Sequence, residues 1–160
     1  HGRIAHHNPE RAIFCFEPLP GNAAMARRNC PGAVVTETAV GAARGEMTLD
    51  VDADGVMASQ DMRYAWQTKP ATFPVAPLDE LAAELGIGDI ALIKMDAEGG
   101  ELDIFAGGKA AFARAGQVAM ETHGRDKHDA SLESLIAAGL AIDEENFDGR
   151  TGMIFASRPI

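Results

Sequence analysis

Residues 91–101, ALIKMDAEGGE, constrain the fold most: an apolar run halts at an acid and passes through paired glycines into a helix-forming segment. Strands covered on both faces of a parallel sheet carry near-continuous apolar runs. In open α/β sheets, ligands gather at the carboxyl ends of such strands. Residues 12–18, AIFCFEP, repeat the pattern, since mostly apolar residues lead to Glu17 and Pro18 blocks further pairing. Two acids, Glu17 and Asp96, are therefore expected at strand ends that face one crevice.

The remaining segments alternate between strand and helix character. Residues 22–29 suit a short helix with Ala23, Met25 and Ala26 turned partly inward, and residues 33–40, AVVTETAV, suit a strand rich in β-branched side chains. Residues 46–52 alternate apolar and polar through Met47, Leu49 and Val51, as in a strand wetted on one face. Residues 54–70 show little periodicity, hold the single Trp66 and Tyr64, and read as a mobile loop or lid. A short strand is expected at 72–76, then a helix capped by Asp79 with Leu81, Ala82 and Leu85 inward. Leu102, Phe105 and Phe112 form one apolar stripe after Asp96, broken at Gly107 and Gly108. Residues 117–123, QVAMETH, form a buried strand ending near Glu121 and His123, followed by a helix at 132–138 and a strand at 140–147. Asp148-Gly149 before residues 153–156 marks a closing hairpin. The alternation predicts a doubly wound, mostly parallel sheet with a C-terminal antiparallel hairpin.

Composition narrows the functions available. With 160 residues, 46% of them hydrophobic, one domain with a real core is expected. A formal net charge of −10 repels nucleic-acid backbones and anionic membranes, which leaves a small neutral or cationic ligand as the easier partner. No apolar run approaches the roughly 18 residues of a membrane span. Cys15 and Cys30 lack metal-ligand spacing, and two unpaired thiols suit a reducing, cytoplasmic setting. His1 is not an initiator methionine, so the natural start is expected upstream.

The segments IFCFEPLPGN, AVGAARGEMTL, PLDEL, LIKMDAEGGELDIFAGG and VAMETH, in that order, resemble the FkbM-type S-adenosylmethionine-dependent methyltransferases. The DxEGxE portion after an LxKx strand is the specific part. The resemblance implies a Rossmann-like class I methyltransferase fold that O-methylates a hydroxyl on a sugar, polyketide or other small metabolite, with S-adenosylmethionine as cofactor. Family members begin with a glycine-rich strand-turn of the DxGAxxG kind, and residues 1–11, HGRIAHHNPER, do not supply one. The expectation is a single methyltransferase domain over 1–160 that lacks its first strand and binds cofactor weakly on its own.

The resemblance places Glu17, followed by Pro18, where an acid accepts both ribose hydroxyls of the cofactor. It places Asp96 and Glu98 beside the point of methyl transfer, where a carboxylate could orient or deprotonate an acceptor hydroxyl. Simpler roles are a solvated strand-end acid for Glu17, a helix N-cap for Asp96 and a first-turn charge for Glu98. Glu101 reads as a structural partner of the turn. Glu121 and His123 share a strand face by their two-residue spacing, and His123 has the titration range of a general base. His6, His7 and His128 read as solvated loop residues, and Lys94 either snorkels or pairs with an acid. The alternative reading is a metal or small-molecule binding module built on Asp96, Glu98, Glu121 and His123 without methyl transfer. An NAD-linked oxidoreductase would need a glycine fingerprint that the chain does not show.

Overall fold

A computed structural model describes residues 11–51, 58–59 and 69–159. His6, His7 and most of the expected 54–70 loop, with Tyr64 and Trp66, lie outside the described residues. The chain divides into two compact units, His1–Ala39, Gly45–Ala58 and Arg63–Val75 in the first, and Val40–Arg44, Ser59–Met62 and Ala76–Ile160 in the second.

In the first unit, β1 (Phe14–Phe16) and β2 (Val34–Thr36) pair in parallel, with Cys15 opposite Val35. The connecting helix α1 (Pro20–Asn29) starts on a proline, whose fixed φ suits a first turn, and carries Arg27 and Arg28 in its last turn, where they favour the negative end of the helix dipole. Ala23 is buried as expected, whereas Met25 is 58% exposed, so the inward face is narrower than its apolar residues suggest. The strand expected at 33–40 breaks after Thr36 and resumes as β3 (Ala39–Val40). The sheet at β4 (Gly45–Val51) is antiparallel to β6 (Lys69–Ala76), and β5 (Ala58–Ser59) is a two-residue strand between them in sequence. Along β4 only Leu49 is fully buried, with Met47 and Val51 half-buried, which matches the alternation read from the sequence. β6 starts three residues before the expected 72 and carries Pro70 and Pro74.

The second unit contains α2 (Leu78–Glu84), β7 (Ile90–Met95), α3 (Glu101–Gly107), α4 (Lys109–Arg114), β8 (Ala115–His123), α5 (Arg125–Ala137), β9 (Ala141–Phe147) and β10 (Thr151–Ser157). Its four strands run in the order β7-β8-β10-β9. Only β7 and β8 are parallel; β10 is antiparallel to both neighbours, so the expected C-terminal hairpin is present and the sheet is mixed rather than mostly parallel. The core lies on one face of this sheet, where Met95, Val118, Met120, Ile154 and Ala156 meet Phe105, Phe112 and Leu135 from the helices. The Phe105 and Phe112 rings pack with centroids 4.4 Å apart. Leu102 departs from the expected stripe and is 39% exposed.

Two local features explain the helix breaks. A Cβ on Gly107 would sit 2.1 Å from the Gly41 carbonyl oxygen, so only glycine allows that approach. Asp79 does not cap its own helix, whose N-cap is Pro77; its carboxylate instead accepts the Ala110 and Ala111 amides at 3.0 and 2.7 Å, satisfying the first turn of α4. Arg158 closes the unit by donating to the carbonyls of Phe112, Ala115, Ala138 and Gly139.

Candidate active site at the ends of β7 and β8

Register explains why the acids and the histidine meet. Met95 pairs with Met120, so Asp96 leaves β7 level with Glu121 while β8 continues to His123. Along β8, Val118, Met120 and Thr122 are buried, whereas Glu121 and His123 fall on the opposite face as their spacing requires. After Asp96 the backbone turns sharply, with Glu98 at φ 46 and Gly99 at φ 105, before α3 begins at Glu101. A left-handed glutamate is uncommon. The turn carries the Glu98 and Glu101 carboxylates back to the imidazole.

His123 is the hub. Its Nδ1 donates to Glu101 Oε1 at 2.6 Å, because an ionised carboxylate only accepts. That bond fixes the tautomer and leaves Nε2 facing Glu98 Oε2 at 3.5 Å and Glu121 Oε1 at 4.0 Å. Asp96, Glu98 and His123 each present a ligand atom, all within 4.8 Å of one another. Lys94 pairs with Asp96 at 3.1 Å, which settles its role as an ion-pair partner. Glu101 is fully buried; its Oε1 also accepts the Gly99 amide at 3.3 Å, and its Oε2 has no hydrogen-bond partner among the described residues.

The electrostatics follow from this packing. The bond to Glu101 raises the His123 pKa above the ordinary imidazole value, opposed by burial and aided by the charges of Glu98 and Asp96. Burial raises the Glu98 pKa, which His123 partly offsets and Asp96, Glu121 and Glu101 reinforce. The arrangement is an imidazole oriented by a buried carboxylate and flanked by further acids.

Other site expectations fare differently. Glu17 closes β1, where its amide donates to Thr36 O and its Oε1 accepts the Leu19 amide at 2.9 Å, bracing the turn through Pro18. His128 is not a solvated loop residue: it lies fully buried in α5, with Nε2 donating to Glu145 at 2.9 Å and Nδ1 bonded to the Thr122 hydroxyl at 2.8 Å. Glu101 does partner the turn as expected, but its bond to His123 was not anticipated. Its signal was present, since Glu101 lies four residues before Phe105 and so shares the buried stripe.

A mixed α/β chain with an acid and histidine cluster at adjacent parallel strand ends has the organisation of an α/β enzyme. The chain belongs to the Methyltransferase FkbM domain family, which matches residues 3–139. It is 29% identical over 143 residues to the 2-O-methyltransferase NoeI of Sinorhizobium fredii, covering 78% of this chain and 58% of that protein. Its fold is similar to the crystal structure of Methyltransferase FkbM from Methylobacillus flagellatus, with a TM-score of 0.57 and 14% identity, covering 94% of this chain and 39% of that one. The chain thus spans little more than half of the one relative and well under half of the other. Among the described residues no helix is long and apolar enough to cross a membrane.

Proposed function

We propose that this chain carries the acceptor-side catalytic groups of an S-adenosylmethionine-dependent O-methyltransferase acting on a hydroxyl of a small metabolite or sugar. The observation that carries the reading is the Glu101–His123 pair, bonded at 2.6 Å with Nε2 turned toward Glu98 at 3.5 Å. Membership of the FkbM family and the likeness to a 2-O-methyltransferase support methyl transfer to oxygen. On this reading the fold is of the Rossmann-like, doubly wound class I methyltransferase kind.

The half-buried Glu17 carboxylate at the end of β1, steadied by the Leu19 amide, has the position and acceptor chemistry to hold the ribose hydroxyls of the cofactor, with Pro18 shaping the turn. When bound, S-adenosylmethionine supplies an electrophilic methyl group on a positive sulfonium. His123 Nε2 takes the proton of the acceptor hydroxyl, Glu101 stabilises the resulting imidazolium, and Asp96 and Glu98 orient the hydroxyl. The acid cluster also favours the sulfonium cation over the neutral product.

The test is transfer of labelled methyl to a panel of hydroxylated acceptors. Asp96→Asn keeps size and is expected to lower turnover by something like 10²-fold with an unchanged melting temperature; His123→Gln is expected to lower it as well. Full activity in both variants would remove the cluster from the chemistry.

A further inference from the structure

Asp96, Glu98, Glu101 and Glu121 gather around one imidazole at the ends of β7 and β8, and Lys94 pairs with Asp96. Three ligand atoms, from Asp96, Glu98 and His123, converge to within 4.8 Å.

Glu101 adds a separate observation. Its side chain is fully buried and aimed at His123, yet Oε2 lacks a partner among the described residues. A buried carboxylate is costly unless positive charge compensates it. An ion on Nε2 would provide it, since the polarised ring then delivers positive character to Glu101 through Nδ1. Ligating histidines commonly donate their other N–H to a carboxylate in this way.

We infer that Asp96, Glu98 and His123 form a binding site for one divalent first-row transition ion, with Glu101 as the carboxylate that orients His123. Two carboxylate oxygens and one imidazole nitrogen suit Mn²⁺ or Zn²⁺ better than Mg²⁺ or Ca²⁺, which prefer oxygen alone. Three ligands from the chain leave coordination positions open for water or an acceptor hydroxyl. Binding of the ion stands on the geometry; its service to an acceptor hydroxyl rests on the methyltransferase reading above, with the ion then replacing His123 as the group that activates the oxygen.

Calorimetry on the chelator-treated chain, with Mn²⁺, Zn²⁺ and Mg²⁺ and no cofactor or acceptor present, tests the site. One Mn²⁺ or Zn²⁺ is expected to bind per chain, with Mg²⁺ at least tenfold weaker. Asp96→Asn, Glu98→Gln and His123→Gln should each weaken binding at least tenfold, and Glu101→Gln by 10- to 100-fold as oriented-ligand losses do. Exposed Glu133→Gln should change nothing. Bound Mn²⁺ should show imidazole nitrogen coupling in pulsed electron paramagnetic resonance, lost in His123→Gln, and circular dichroism checks that each variant is folded. No binding at millimolar Mn²⁺ or Zn²⁺, or binding that survives all three ligand substitutions, overturns the inference. Ion binding without methyl transfer would discard the methyltransferase reading and keep the site. Methyl transfer undiminished by chelation, with no ion retained, would do the reverse.

Discussion

At the scale of single residues, the Glu101–His123 bond decides how the site behaves with pH. The His123 pKa is raised in the folded chain, chiefly by Glu101, so its contribution to stability is fully present below the unfolded value of about 6.5 and is lost as pH rises through the folded value. Glu98 is also raised, chiefly by burial, so the folded state increasingly resists its ionisation as pH climbs past the ordinary carboxylate range. Among the described residues Glu98, Glu101, Asp96 and Glu121 face His123, and all are acids, so the two effects share a direction. In chelator-treated protein, His123→Gln should therefore lower the melting temperature more at pH 6 than at pH 9. A difference between the two proteins that is the same at both pH values would show that the ion pair adds nothing to stability. Asp96, Glu98 and His123 were legible in the sequence because a strand that stops at an acid and a two-residue spacing both project onto a strand end. The burial of His128 was not, because its partners Thr122 and Glu145 come from two different strands and only register brings them together.

At the scale of elements, strands β8, β9 and β10 are organised around that buried histidine. Gly152 sits where β10 passes His128, and a Cβ there would lie 2.4 Å from Nδ1 and 2.7 Å from Asn146 O. Gly152→Ala must therefore displace the ring, breaking its bond to Thr122 and straining the β9/β10 ladder. Overpacking with a lost buried hydrogen bond costs on the order of 2–4 kcal/mol, enough to lower the melting temperature by roughly 5–15 °C in a chain of this size. Thermal unfolding of Gly152→Ala beside Gly149→Ala, where nothing lies within 4 Å but the backbone is left-handed at φ 102, separates the close contact from simple loss of glycine freedom. Equal effects would mean that the close contact is relieved cheaply. Element positions read well from periodicity, as β4, β8 and the terminal hairpin show. Helix lengths read less well: α5 starts at Arg125 rather than 132, because its first turn is polar and is held by His128 and Ser131 packed inward rather than by an apolar stripe.

At the scale of the whole molecule, the outer edge of β7 governs how the chain associates. The strand ends its sheet, and among the described residues none pairs with its far side. The segment Ile90–Met95 is apolar apart from Lys94, and Leu92 is 37% exposed. An apolar strand edge presents unpaired amides and carbonyls that seek a further strand, and a single lysine is a thin guard against that. The apolar run of this strand reads as one covered on both faces, yet periodicity carries no information on which strand pairs with its edges. The 160-residue chain in isolation is expected to associate through this edge, opposed by the repulsion of its net charge of −10. Light scattering should then show a mass that grows with concentration and with added salt, since screening removes the repulsion and leaves the edge. Leu92→Glu places a like charge on the edge and should return the chain to monomer under the same conditions. A monomer at high protein and high salt would mean that the edge of β7 does not drive association of the isolated chain.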